Sequence, residues 1–309
     1  MPSRASRMPS CTLRRVCHPR GQTTSQYRYI ETSTKTHMLP SFLRFSRFHA
    51  STLALTMLLS SAVSVAHAQE RPSLDVPYIK TPDAVVAHML DMAAVGADDY
   101  LIDLGSGDGR ISIAAALKHG TAGLGVDLDP DRTEEATAAA LAAGVSNRIV
   151  FRTENLFDTD LSQASVISMY LFPEINLRLR PHLLRLKPGT RIVSHAFHMD
   201  EWTPERHDVV EGRDIFLWTV PAKVQGLWRV KAPGHRDFVL RVWQQFNRIQ
   251  GTAITIDDHS IPVGDMTISG ADIRYTLNTL NGRLTFSGKV DGPRMAGAGS
   301  AGEWSAEKM

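Results

Sequence analysis

The sequence predicts an α/β fold, a doubly wound and mostly parallel sheet, followed by a small antiparallel β-rich module at the C-terminal end. Three observations predict it. Asp99-Tyr-Leu-Ile-Asp-Leu104 is an apolar run of strand type that enters Gly105-Ser-Gly-Asp-Gly109, and a helical stretch from Ile111 to His119 follows and stops at Gly120. A second strand, Gly123-Leu-Gly-Val-Asp127, ends in an acid 24 positions after Asp103, about the length of a turn, a helix, a loop and a strand. From Val224 onward the helical spacing gives way to short alternating runs separated by turn residues.

The elements then follow in order. Thr81-Pro82-Asp83 suits a helix start, with Thr81 as N-cap and Pro82 at the first helical position. Val85, Val86, Met89, Leu90 and Ala93 make its apolar stripe, and Gly96 ends it. Asp129-Pro130 supplies the cap and first-turn proline of the helix after the second strand. Residues 148–153 are the third strand, and the stretch from Ala164 to Glu174 is the fourth strand with the loop after it. A helix through Leu177, Leu179, Leu183, Leu184 and Leu186 leads to a fifth strand over 191–197, and residues 214–220 form an antiparallel neighbour. In the module, residues 238–246, 253–256, 266–269, 273–277 and 283–286 read as strands of a small sheet or partial barrel of about 85 residues. Asn281-Gly282 is a hairpin turn, and Gly251, Asp257-Asp258, Gly270 and Asp291-Gly292 break the other runs.

Composition bounds the partners. The chain of 309 residues has a formal net charge of +2. Residues 1–68 hold nine of the 34 Lys and Arg and one of the 32 acids, so the rest carries 25 against 31 and a net charge of −6. That is a poor polycation, and no nucleic acid is expected as partner. From Met38 a basic region with Arg44 and Arg47, an apolar run from Leu53 to Ala66 and Ala66-His67-Ala68 before Gln69 have the order of a secretory signal peptide. The organisation expected is therefore a leader over 1–68 (an overlong start over 1–37, a signal peptide over 38–68), an α/β domain over 76–222 and the β-rich module over 223–309. Export, to a periplasm in a bacterium, follows if the leader is cleaved; membrane anchoring by residues 53–66 and a mitochondrial presequence are the alternatives. The apolar run of about 14 residues is short of the roughly 20 that span a bilayer, so the mature chain is expected to have no transmembrane helix. Both cysteines, Cys11 and Cys17, fall in the leader, which leaves the mature chain without disulfide or thiol nucleophile.

The chemistry centres on the glycine turn. Gly105, Gly107 and Gly109 let the backbone turn tightly and remove Cβ atoms that would hold a ligand off, and the turn is expected to present unpaired helix N-terminal N–H groups. A dinucleotide site uses such a turn too, but Arg110 stands where that fingerprint wants its third glycine. Asp103, two positions before the first glycine, suits a cationic ligand better than a pyrophosphate. Asp127 ends the neighbouring strand, where a carboxylate can accept both hydroxyls of a ribose. His195, His198 and Asp200 invite a metal reading, but no third strong ligand stands nearby and no metal is expected.

Asp103-Leu-Gly-Ser-Gly-Asp-Gly resembles the first motif of the class I S-adenosylmethionine-dependent methyltransferases, whose Rossmann-like fold agrees with the elements above. Over 76–222 the motifs stand in that family's order. With the Thr81-Pro82 lead-in and the Leu171-Phe-Pro-Glu174 run, the chain is similar to the lysine methyltransferases of mitochondrial ATP-synthase and carrier proteins and their bacterial homologues. The resemblance implies S-adenosyl-L-methionine as cofactor. It places Asp103, Gly105, Ser106 and Gly107 at the methionine end, Asp127 at the ribose, Asn155 and Leu156 at the adenine, and Tyr78 and Thr81 over the ligand. It implies that Tyr170 and Glu174 face the methyl acceptor as catalytic residues, and that the acceptor is a protein lysine. The leader and the β-rich tail depart from that pattern, and an exported S-adenosylmethionine-binding module without turnover is the alternative.

Overall fold

A computed structural model of the chain describes residues 78–280, 282–300 and 302–309; the leader, both cysteines and Asn281 of the hairpin turn lie outside the described residues. A first helix, α1 (Asp83–Met92), precedes β1 (Tyr100–Leu104), α2 (Arg110–His119), β2 (Ala122–Asp127), α3 (Pro130–Ala142) and β3 (Ile149–Thr153). The chain then crosses to β4 (Val166–Met169), α4 (Pro173–Leu183), β5 (Arg191–His195), β6 (Arg206–Val210) and β7 (Arg213–Thr219). These strands form one sheet in the order β3-β2-β1-β4-β5-β7-β6. The first five strands in that order are mutually parallel, and β7 is antiparallel to both β5 and β6.

β1 is bonded to β2 on one side and to β4 on the other. The winding therefore reverses at β1, and a crevice opens at the C-terminal ends of the strands there. The centre of the sheet is dry because both faces are covered, and Leu101, Ile102 and Leu104 are each 1% exposed or less. Asp129 caps α3 by accepting from Asp131 N–H at 2.9 Å, as its Asp-Pro start predicts. Thr81 does not cap α1: Pro82 is the N-cap residue and no side chain bonds the first turn, because the Thr81 hydroxyl is drawn to His195 across the fold. Strand β6 was not visible in the sequence, since Arg206-His-Asp-Val-Val210 is a half-solvated edge strand without an apolar alternation.

The C-terminal module is a closed eight-stranded antiparallel barrel, in the order β10-β11-β12-β13-β14-β15-β8-β9. Its strands are β8 (Gly226–Lys231), β9 (Phe238–Gln245), β10 (Arg248–Thr255), β11 (Ser260–Ser269), β12 (Asp272–Thr279), β13 (Gly282–Asp291), β14 (Arg294–Gly299) and β15 (Gly302–Lys308). Alternate residues fill the interior, where Tyr275 stacks on Phe286 at 4.7 Å and Trp304 meets both rings edge-on. Gly251, expected to break a strand, sits inside β10 opposite Val242. β14 escapes a sequence reading because Met-Ala-Gly-Ala-Gly has low strand propensity. Its glycines answer a steric need instead, since a Cβ on Gly297 would lie 2.0 Å from Ser287 O and one on Gly299 1.8 Å from Thr285 O. Phe246, in the β9–β10 turn, stacks on Trp202 at 6.1 Å and joins the barrel to the apolar layer over β5 and β7. No helix among the described residues is long and apolar enough to cross a membrane.

Candidate functional site

The crevice at the switch point has the glycine turn as its floor. Gly105, Gly107 and Gly109 have φ of 75°, 53° and 76°, the left-handed region that favours glycine. A Cβ on Gly105 would lie 2.9 Å from Leu171, and one on Gly107 would lie 2.5 Å from the Tyr78 ring. The expectation of unpaired N–H groups does not extend to the glycine turn itself. Gly105 and Ser106 N–H both donate to Val126 O at 2.9 Å, and Gly107 N–H donates to Asp127 Oδ2 at 2.8 Å. Arg110 N–H, at the start of α2, reaches Asp108 Oδ1 at 3.3 Å. Gly105, Ser106 and Gly107 thus commit their N–H groups to β2.

The two acids of the motif have different fates. Asp127 lines the crevice at the end of β2, and its carboxylate is fixed by the N–H groups of Gly107 and of Asp129, the latter at 2.9 Å. Asp103 does not line the crevice. It is 1% exposed, lying under the turn, where Ser168 Oγ donates to it at 2.7 Å and Ser112 Oγ at 3.4 Å. Burial pushes its pKa up to about 7 against the pull of the two serines, and the nearby Asp127 and Asp108 add to the rise. The carboxylates at 103 and 127 therefore do not face each other across one space: Asp103 ties β1 to β4 and α2, and Asp127 alone meets the ligand side.

Residues 78–81 form one wall of the crevice. The Tyr78 ring covers Gly107 and takes the Arg132 guanidinium on its face at 4.9 Å. Burial and a hydrogen bond to Asp108 push the Tyr78 phenol up to about 12. Arg110 chelates Asp108 and also donates to Thr81 O at 2.8 Å, and Lys80 stands 3.7 Å from the same carboxylate. Burial opposes ionisation of Asp108, but Arg110 and Tyr78 hold it below the usual carboxylate range.

The opposite end is built from the loops after β3 and β4. Glu154, Asn155 and Leu156 line it, and Asn155 Oδ1 accepts from Phe157 N–H at 3.0 Å, so Asn155 shapes its own turn while facing the crevice. Tyr170 lines the crevice where β4 ends, with its ring 3.9 Å from His195 and 6.2 Å from Phe197. Glu174 is the exception among the expected catalytic residues. Pro173 starts α4 at once, and Glu174 in its first turn is exposed and outside the crevice lining. His198 Nδ1 accepts from Asp200 N–H at 2.9 Å, and His195 turns to Thr81; among the described residues no cluster has three metal-ligating side chains.

One crevice thus gathers Tyr78, Thr81, Gly105, Ser106, Gly107 and Asp127, together with Asn155, Leu156 and Tyr170. Asp108, Arg110 and Arg132 also line it and were not among the site residues expected from the sequence. The signal for the first two was available, since an acid and an arginine two apart in a turn can pair locally, but Arg132 reaches the site only through the placing of α3.

The ANTKMT methyltransferase domain model matches residues 103–206, which leaves the barrel outside the matched stretch. A protein-lysine N-methyltransferase of Saccharolobus islandicus (strain REY15A) is 43% identical over 151 residues, 47% of this chain and 94% of that protein. The adenine nucleotide translocase lysine N-methyltransferase of Mus musculus is 31% identical over 132 residues, 42% of this chain and 57% of that protein. Among solved structures, a Salinibacter ruber protein described as an RNA methyltransferase in complex with S-adenosyl-L-homocysteine is 46% identical, with a TM-score of 0.47 over 47% of this chain and 96% of that one.

Proposed function

We propose, for a chain that belongs to the S-adenosylmethionine-dependent methyltransferase family of these protein-lysine enzymes, that the methyl acceptor is a lysine side chain of another protein. The identity with the Saccharolobus protein-lysine N-methyltransferase, over nearly all of that protein, supports the acceptor class. The observation that carries the site assignment is the fixed carboxylate of Asp127 beside a glycine turn in which Gly105, Ser106 and Gly107 N–H are bonded to β2. A carboxylate at that place suits ribose hydroxyls and a cationic nucleoside better than a phosphate.

The residues fit the cofactor. We assign the ribose hydroxyls to Asp127, whose orientation two backbone donors fix, and the methionine end to the Gly105–Gly107 turn, where the Ser106 hydroxyl is buried without a partner among the described residues. Asn155 and Leu156 take the base, and Tyr78 and Thr81 cover the ligand from the opposite wall. Bound S-adenosylmethionine supplies a methyl group activated by its sulfonium. The chain's own task is placement, because in-line positioning of a neutral amine about 3 Å from the methyl accounts for much of the acceleration. Tyr170 is the wall for the acceptor side chain; Glu174, exposed and off the crevice, has no part in this assignment.

Incubation of the purified chain with methyl-labelled cofactor and either protein or RNA extract tests the proposal. Label in protein that is recovered as methyl-lysine after hydrolysis supports it, and label confined to RNA overturns it. We further propose that the chain is exported, a reading that rests on the sequence of residues 38–68 alone. Edman sequencing of the protein from its native cell is expected to start at Gln69, and a start at or before Met38 overturns export by cleavage.

A further inference from the structure

We propose that His195 is a positioning residue of the methyl transfer, one imidazole that sets both walls of the crevice through Thr81 on one side and Tyr170 on the other. His195 closes β5 and is fully buried, at 0% exposure. Its Nδ1 is 3.2 Å from Thr81 Oγ1, a contact between residues 114 apart in sequence, and its ring lies 3.9 Å from the Tyr170 ring at 34°. Thr81 and Tyr170 both line the crevice, and His195 stands behind them. The Thr81 carbonyl is held in turn by Arg110, which chelates Asp108, so the imidazole anchors the far end of the 78–81 wall.

A packing role alone does not account for this side chain. Nε2 is buried with no protein partner among the described residues, and a phenylalanine would fill the place without that unpaired group. What the imidazole offers over a hydrocarbon ring is the Nδ1 contact to Thr81, which explains why Thr81 is drawn away from capping α1. Burial, with the Arg213 charge adding to it, pushes the His195 pKa down to about 4, so the ring is uncharged at neutral pH. A neutral ring beside Tyr170 does not repel a sulfonium or an incoming amine, as an imidazolium would.

The two contacts separate by substitution. His195→Phe keeps a ring against Tyr170 and loses the Thr81 partner; His195→Asn keeps a hydrogen-bonding group near the Nδ1 position and loses the ring. In initial-rate assays with methyl-labelled cofactor and the protein extract as acceptor, His195→Phe is expected to raise KM for S-adenosylmethionine about tenfold, with kcat changed by less than threefold. His195→Asn is expected to do the reverse, lowering kcat about tenfold with KM within threefold. Thr81→Val should copy His195→Phe, the two together should be no worse than either, and Thr81→Ser should restore the cofactor KM. Equal loss of both parameters in both His195 variants, or multiplying effects of Thr81→Val and His195→Phe, would overturn the proposal. Should the His195 variants not fold, the Thr81→Val and Thr81→Ser pair still decides it, because cofactor affinity by calorimetry needs no acceptor: an unweakened Thr81→Val overturns the proposal. That calorimetry is independent of whether the acceptor is a lysine.

Discussion

The sheet and the barrel differ in what they bury. Behind the crevice the sheet buries Asp103, Ser106, Ser112, Ser168, Ser194 and His195, all near the C-terminal ends of its strands or the start of α2. Among the described residues of the barrel the buried polar side chain is Thr276, beside the phenol of Tyr275, and the rest of its core is hydrocarbon, ring and indole. Buried polarity is costly unless it is bonded, so its concentration in one layer marks where this fold exchanges stability for a site. Among its described residues the barrel, whose core is filled by its own side chains, carries no comparable centre; it meets the sheet domain through Phe246 on Trp202 and through hydrogen bonds from Asn247 and Arg248 to Thr203 and from Ser269 to Glu205.

That contrast can be broken by experiment. The largest effect is expected from Trp228→Ala in the barrel core, where the side chain is 0% exposed. Loss of a buried tryptophan costs about 3–5 kcal/mol, read from urea unfolding, and the contrast holds only if cofactor affinity in the folded fraction stays within twofold. A marked loss of affinity would show that the barrel helps to build the site.

Asp103 sharpens it next. Its folded pKa of about 7 lies above the ordinary 3.8. The native state then binds the extra proton, and the stability this confers is complete below the unfolded pKa and lost as pH rises towards 7. Unfolding free energy should fall by about 2–3 kcal/mol from this group between pH 5 and pH 7.5. Asp103→Asn should flatten that slope, and an unchanged slope would show that the carboxyl is ionised throughout.

Asp127→Ala removes the acceptor for Gly107 and Asp129 N–H and the assigned ribose contact. Cofactor binding by calorimetry should weaken at least about 30-fold, near 2 kcal/mol, and full affinity would refute the ribose assignment. The smallest effect comes from the barrel. The Tyr275 hydroxyl is buried with no partner among the described residues, and burial alone pushes its pKa well up. Tyr275→Phe should therefore stabilise the chain by about 1 kcal/mol in thermal or urea unfolding, and destabilisation would mean that the hydroxyl has a partner.

Much of this was legible in local sequence because the responsible forces are local. Glycines at alternate positions dictate a left-handed turn between β1 and α2, Asp129-Pro130 dictates the start of α3, and alternation with turn residues dictates antiparallel strands after Val224. Where reading failed, a distant partner had overridden a local preference. Thr81 left its capping position for His195, Asp103 turned to Ser168 rather than to a ligand, and the N–H groups of Gly105, Ser106 and Gly107 were taken by Val126 and Asp127.

By itself, then, the sequence determined the fold class, the order of the elements from α1 to β5 and the family of the catalytic domain, since these depend on periodicity, capping and motif spacing within a few turns of chain. Only the tertiary structure decided that the barrel closes, that Asp103 lies beneath the floor while Asp127 stands on it, and that Arg132 and His195 join the site. Each of those depends on which strands become neighbours, and hydrogen bonds between residues some 65 to 114 apart have no signature in a sequence window.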